Sequence, residues 1–135
     1  MARTGIRSSA VIIKNDKILL IHRKKDGEEY WVFPGGGIEE GESAEATVLR
    51  EVEEETSLKA SNPKLLFYAY TYEGGNQHPF FVLDIEDGEP VLAGPEAEKM
   101  SEDNWYNPQW VNLDEIEDIN LVPNEAKDNL LKYVK

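Results

Sequence analysis

Residues 36–58 read GGIEEGESAEATVLREVEEETSL, a glycine pair, a polar turn and a helical pattern closing on four glutamates within five positions. The spacing predicts a helix from Ser43 to Thr56, with Ser43 as its N-cap and Glu45 placed to suit the positive end of the helix dipole. At about 100° per residue, with Glu51 at zero, Glu54 falls near 300° and Glu55 near 40°, so the three share one arc. Glu53 lies on another side. Val48, Leu49 and Val52 fill the adjoining arc, which should pack on a sheet. Like charges three and four residues apart cost roughly 0.2–0.5 kcal/mol per pair in an isolated helix. A solvated acidic face would account for the pattern. So would a cleft holding hard divalent cations, which prefer carboxylate oxygens. The helix alone leaves both open.

The residues just upstream sharpen the question. Trp31-Val32-Phe33 reads as a short strand that stops at Pro34 and enters a loop of three glycines, Gly35, Gly36 and Gly37. Glycine there permits positive φ and lets another group come close to the backbone.

The rest of the chain sets the frame. With 135 residues, 40% apolar and 30% charged, it is expected to form one domain over residues 1–135. It has no cysteine, hence no disulfide, thiolate metal site or cysteine nucleophile. No apolar run is long enough for a signal peptide or a membrane span, so a cytoplasmic location and no membrane partner are expected. The net charge is −13, from 27 acidic and 14 basic side chains, and Arg23-Lys24-Lys25 is the nearest thing to a basic cluster. A nucleic acid polymer is therefore not an expected partner. A phosphorylated small molecule would need the local sign reversed, as divalent cations on carboxylates would do.

Strands are expected over Arg7–Lys14, Lys17–His22, Lys64–Tyr72, Pro79–Ile85 and Gln109–Asn112, with a hairpin at Asn15-Asp16 and a turn at Gly74-Gly75-Asn76. Gly88–Glu98 reads as a loop, Asp114–Ile119 as a short helix and Asn124–Val134 as an amphipathic closing helix. The class is α/β, with helices on both sides of a mixed sheet.

Taken together, the glycines and the acidic helix resemble the Nudix box. That motif asks for Gly, five residues, Glu, seven residues, Arg-Glu, an aliphatic, any residue, Glu-Glu, any residue, Gly and an aliphatic. Gly36, Glu42, Arg50, Glu51, Val52, Glu54, Glu55 and Leu58 match, and Ser57 stands where the family has glycine. If Ser57 ends the helix in left-handed geometry, it costs on the order of 1 kcal/mol.

The resemblance implies the Nudix fold, an α/β/α sandwich with a mixed sheet between helices, and hydrolysis of a diphosphate linked to a nucleoside or similar group with Mg²⁺ or Mn²⁺. By position, Glu51, Glu54 and Glu55 would hold the metal, with the Gly35 carbonyl beside them and Glu51 the first choice of general base. Glu96 and Glu98, in GPEAE, are candidates for an extra ligand or base, or else solvated loop acids. Arg50 and Glu42 would pair to hold the loop against the helix. Arg23 would clamp a phosphate, or else be an exposed surface arginine, and Gly36 and Gly37 would lie against substrate.

Specificity is thinly encoded. About fifteen residues past the box lies Glu73, where ADP-ribose relatives carry proline. Tyr68, Tyr70 and Tyr72 sit near where dinucleoside polyphosphate enzymes carry a tyrosine, but they also alternate on a strand. Asn124 opens the last helix as in MutT-like enzymes, where an asparagine reads the base; a plain N-cap explains it more simply. Trp105 and Tyr106 could stack on a base, whereas Trp110 and Val111 should belong to the core. His22 and His78 have no recognisable partner spacing. A nucleoside triphosphate, oxidised or not, is the expected substrate. A nucleotide sugar, a dinucleoside polyphosphate or a non-catalytic nucleotide-binding module are the alternatives, and the oligomeric state is left open, a homodimer included.

Overall fold

The computed structural model describes residues 3–70, 75–91, 100–101 and 103–134. Strand β1 (Arg3–Val11) and the two-residue β2 (Ile13–Lys14) turn at Asn15-Asp16 into β3 (Lys17–Lys25). Both turn residues have positive φ, 54° and 62°. This matches the twist of hairpin strands, and Asn and Asp tolerate it. Then follow β4 (Glu28–Val32), β5 (Gly35–Glu39), helix α1 (Ala44–Thr56), β6 (Ala60–Tyr70), β7 (Gln77–Ile85) and β8 (Asn104–Asn112). A 3₁₀ turn (Leu113–Asp118), β9 (Leu121–Val122) and helix α2 (Asn124–Val134) complete the described chain.

Two sheets form the middle layer. One runs β5-β1-β7-β6 and is mixed, because β1 and β7 pair in parallel while the other pairs are antiparallel. The other is built on β3, which pairs β8 along one edge and β2 and then β4 along the other; β9 lies parallel to β4. Ile18–Ile21 of β3 are all buried and serve both faces, which is why the strand reads as an unbroken apolar run. Leu19 joins Ala10, Ile12, Phe81 and Leu83 beneath Val48 and Val52 of α1. Ile18 and Leu20 join Val11, Phe33 and Phe80 beneath Ala126 and Leu130 of α2. The expected layering of helix, sheet and helix is present, with the sheet layer divided in two.

Several boundaries differ from the sequence expectation, each for a physical reason. The glycines are not a loop: Gly35–Gly37 pair with Ser9, Ser8 and Arg7 as the edge strand β5. A Cβ on Gly35 would stand 2.2 Å from the Ser8 carbonyl oxygen, so the approach to β1 demands glycine. Strand β8 starts at Asn104 rather than Gln109. Its added residues are held by cation–π contacts with the residues directly opposite: Arg23 lies 4.0 Å from the Tyr106 ring and Lys24 5.1 Å from that of Trp105. Among the described strands β8 pairs with β3 alone, and as an edge it tolerates Pro108. The short helix at Asp114 is the 3₁₀ turn, and β9 was not anticipated. Val111 is buried and Trp110 packs half-buried on the α1 side of the core. Tyr72, Glu73 and Gly74 lie outside the described residues.

Ser57 ends α1 with φ 63° and ψ 10°, the left-handed conformation the motif position implies. Its hydroxyl donates to the Val91 carbonyl oxygen at 2.8 Å, while the Val91 N–H donates to the Thr56 carbonyl at 2.8 Å. The serine thus offsets its backbone cost by tying the loop after β7 to the helix end. Ser57→Ala should lower stability by about 0.5–1 kcal/mol in chemical denaturation, since it loses the hydroxyl and keeps the left-handed cost. Ser57→Gly, which loses both, should stay within about 0.5 kcal/mol of wild type.

Candidate active site

The start of α1 is fixed by Ser43, whose hydroxyl accepts from the Ala46 N–H at 3.1 Å. That registers Glu51 and Glu55 toward β5, with Glu54 beside them. Glu51 and Glu55 are buried and Glu53 is exposed, as the helical angles require. Glu51 lies directly under Gly36, where a Cβ would come within 2.4 Å of its carboxyl carbon; glycine is what admits the carboxylate. Glu55 Oε1 accepts from the Gly35 N–H at 2.7 Å. Glu54 stands at the edge, its side chain 37% exposed.

Arg50 sits among these acids. Its Nε and Nη2 fork onto the Glu42 carboxylate at 2.9 and 3.0 Å, and its Nη1 reaches Glu51 Oε1 at 2.9 Å and Glu54 Oε2 at 3.4 Å. The Arg50 hydrogen bonds, aided by the Thr47 hydroxyl, hold Glu42 at a pKa of about 2 instead of 4.5. Arg50 is in turn held in its charged form, first by Glu42. The expected Arg50–Glu42 pair is therefore present and extends to Glu51 and Glu54. Among the described residues, no three His, Cys, Asp or Glu side chains are gathered in metal-binding geometry.

Facing the acids is a cleft of about 150 Å³ whose lining includes Glu51, Glu55, Gly35, Gly36, Arg7, Arg23 and Tyr106. Arg7, Arg23 and Val32 also line a neighbouring cavity of about 240 Å³, otherwise walled by Tyr30, Phe33, Phe80, Val122 and Pro123 with Ser9 and His78. The two spaces share the arginines as a common border. A larger open groove of about 780 Å³, bordered by Lys14, Lys17, Asp87 and Trp110, contains none of the box residues.

Arg23 is positioned by its ring contact with Tyr106 and by an Nη2 bond to Asn104 Oδ1 at 2.8 Å, and its Nε is buried with no hydrogen-bond partner among the described residues. A buried donor of this kind costs free energy unless an acceptor arrives. Arg7 Nη2 donates to the Phe33 carbonyl at 3.2 Å, and its backbone N–H donates to His78 Nδ1 at 2.8 Å. Burial, and then the Arg7 charge, push the His78 pKa down, so the ring is neutral near pH 7.

Arg7 and His78 escaped the sequence reading. They meet only because β1 and β7 pair in parallel, a contact between residues 71 apart. Of the expected substrate-side residues, Arg23 and Gly36 line the cleft and Gly37 does not; Gly37 is paired opposite Arg7 within the sheet. Asn124 is exposed and lines neither cavity. It is the first residue of α2 rather than its cap, and its neighbour Pro123 lines the apolar cavity where it does not. Tyr106 reaches the cleft, whereas Trp105 packs edge-on against His22, itself stacked on Trp31 at 4.3 Å. Tyr68 and Tyr70 are exposed on β6. Glu96 and Glu98 lie outside the described residues.

The lowered Glu42 pKa makes a pH prediction. A carboxyl whose folded pKa lies below its unfolded value stabilises above about pH 4.5, and loses that contribution as pH falls toward 2. The stability of Glu42→Gln should therefore fall less steeply than that of wild type between pH 4.5 and pH 3, by denaturant titration at each pH.

Comparison with known proteins agrees with this geometry. The NUDIX domain model matches residues 4–130. The chain is 27% identical to the uncharacterized Nudix hydrolase YvcI of Bacillus subtilis over 88% of its own length and 73% of that protein's. It is 36% identical to an ADP-ribose pyrophosphatase of Methanocaldococcus jannaschii, over 70% of its length and 59% of the relative's. The crystal structure of a MutT NUDIX hydrolase from Burkholderia pseudomallei superposes with a TM-score of 0.67 at 24% identity, over 96% of this chain and 97% of that one. The chain belongs to the NUDIX family of hydrolases.

Proposed function

We propose that this chain is a Mg²⁺- or Mn²⁺-dependent pyrophosphohydrolase whose 135 residues form one Nudix domain. Its substrate is a nucleoside triphosphate, oxidised guanine nucleotides included, cleaved to monophosphate and pyrophosphate. The observation that carries this is the shared border: an acidic cleft and a largely apolar cavity meet at Arg7 and Arg23. A molecule with an anionic middle and a flat apolar end fits across that border, phosphates at the arginines and base in the cavity. We place it in the cytoplasm on its sequence alone.

The residues fit a hard divalent cation. Glu51, Glu54 and Glu55 supply only oxygens, Gly36 leaves room for the Glu51 carboxylate, and a cationic group, the Arg50 guanidinium, already stands between Glu51 and Glu54. Glu51, Glu54 and Glu55 would hold the metal beside Gly35, with Glu96 and Glu98 as further candidates. A bound cation of this kind neutralises phosphate charge and lowers the pKa of its water. The chain's own groups do the rest. Arg23 and Arg7 draw the diphosphate into the cleft, and the unpartnered Arg23 Nε gains an acceptor. Glu51, buried and aimed at the cleft, takes a proton from the attacking water as its oxygen bonds to phosphorus and the diphosphate P–O bond breaks.

The ADP-ribose pyrophosphatase relative favours a second reading, in which the same chemistry acts on a nucleotide joined to a sugar; dinucleoside polyphosphates are a third. A nucleotide-binding module without turnover fits less well, because every box carboxylate is kept.

The decisive measurement is a panel of nucleoside triphosphates, oxidised guanine nucleotides, ADP-ribose, nucleotide sugars and dinucleoside polyphosphates, with Mg²⁺, scored for phosphate or pyrophosphate release. Fastest turnover of a triphosphate supports the proposal; binding with no turnover of any member overturns it in favour of the module. Glu54→Gln should lower kcat by roughly two orders of magnitude or more while the fold survives, since the partly exposed Glu54 shares the Arg50 Nη1 with Glu51 and is not needed for the core. Near-normal turnover in that variant would remove Glu54 from the site.

A further inference from the structure

From Asp26 to Leu58 the chain carries eleven acidic residues and a single basic one, Arg50. That one cation is divided between two duties. The Nε and Nη2 side of its guanidinium is spent on Glu42 at 2.9 and 3.0 Å. The remaining nitrogen, Nη1, lies 2.9 Å from Glu51 and 3.4 Å from Glu54. The contacts are unequal: the fork on Glu42 is bidentate and short, the reach to Glu54 long and half exposed to water. A planar guanidinium can give up one terminal nitrogen without moving the fork.

We propose that Arg50 is the resident counterion of the metal carboxylates, exchanged for the divalent cation when it binds. Nη1 holds Glu51 and Glu54 together in the metal-free protein and yields them to the metal, while the fork stays on Glu42 as the pivot. Metal binding in this chain is then a swap of one cation for another instead of the filling of a bare anionic site. This rests on the reading that Glu51 and Glu54 hold the metal. It assigns Arg50 two separable roles, positioning through Glu42 and competition through Nη1. It also explains how four acids crowd one short segment without metal: a like-charge cluster in low dielectric needs a nearby cation, and the fold supplies a removable one.

The two roles predict opposite signs. Removing the competitor in Arg50→Gln should tighten binding of Mn²⁺ or Mg²⁺, by about two- to fivefold, in calorimetric titration without nucleotide. The metal-free variant should also melt at a lower temperature, with a larger gain in Tm on adding metal than wild type shows. Glu42→Gln should do the reverse: Arg50, released from its partner, falls more fully on Glu51 and Glu54 and weakens metal binding by a similar factor. If Arg50 only braced the loop, both variants would weaken binding together, and that result overturns the proposal. A second readout needs no variant. On saturating wild-type protein with Mg²⁺, nitrogen-15 resonances of the Arg50 Nη groups should shift and show freed rotation while Nε stays unchanged; no change on saturation overturns the proposal even if Arg50→Gln fails to fold. Wild-type protein that binds neither cation would overturn the metal reading itself, a distinct failure from normal binding with variants that move together.

Discussion

Repulsion among carboxylates on one face of α1 is the constraint around which this structure is arranged. Glu51 and Glu55 are buried at the sheet in a protein of net charge −13, and burial of unpaired charge would cost several kcal/mol. The fold meets that cost with donors fixed by backbone geometry. Gly35 turns its N–H to Glu55, Gly36 omits the side chain that would occupy the Glu51 position, and Arg50 spans Glu42, Glu51 and Glu54. Each of these depends on β5 lying close against β1 and on Ser43 starting the helix in the right register. A shift of α1 by one residue would carry Glu51 about 100° away from Gly36 and bring a different side chain to the glycine edge.

What was legible in the sequence was local. The cap at Ser43 and the angles of the three glutamates follow from spacing along one helix, while the Arg50–Glu42 pair and the left-handed Ser57 came from the motif resemblance, and the structure shows each of them. The strands β1, β3 and β7 were legible for the same reason, since their buried apolar runs are written in consecutive residues. Strand β5 was not, because three glycines carry no side-chain pattern and the pairing that makes them a strand lies with residues far upstream. The first half of β8 was hidden for a related reason. Trp105 and Tyr106 look like free aromatics until Lys24 and Arg23 are known to lie opposite them.

The residues that sequence reasoning missed are those that join the two sheets to the site. Arg7 donates from its backbone to His78 on β7 and from its guanidinium to Phe33 at the end of β4, while lining both cavities. One residue therefore couples an inner strand of the mixed sheet to the apolar pocket and the acidic cleft. His78 is kept neutral by burial and by the nearby Arg7 charge, so it accepts the Arg7 N–H without adding a third positive group to the pocket. Nothing in the linear spacing of Arg7 and His78 signals this; it follows only from the parallel β1–β7 register.

On the proposed reading, those arginines also account for how a polyanion can approach so acidic a protein. The summed field of 27 acids against 14 bases repels phosphate at long range, and screening confines that repulsion to about 8–10 Å in physiological salt. Inside that distance the local wall decides. At the cleft, Arg7 and Arg23 form one side and the carboxylates the other, so a phosphate is drawn to the arginine side and a cation to the glutamate side. The apolar cavity shares that arginine border, so an amphipathic anion with its phosphates at the arginines would have its apolar end beside the cavity. On the proposed reading, orientation thus comes from the sign change across a cleft of about 150 Å³ and from the apolar cavity that shares its arginine border, before any particular base or sugar is read.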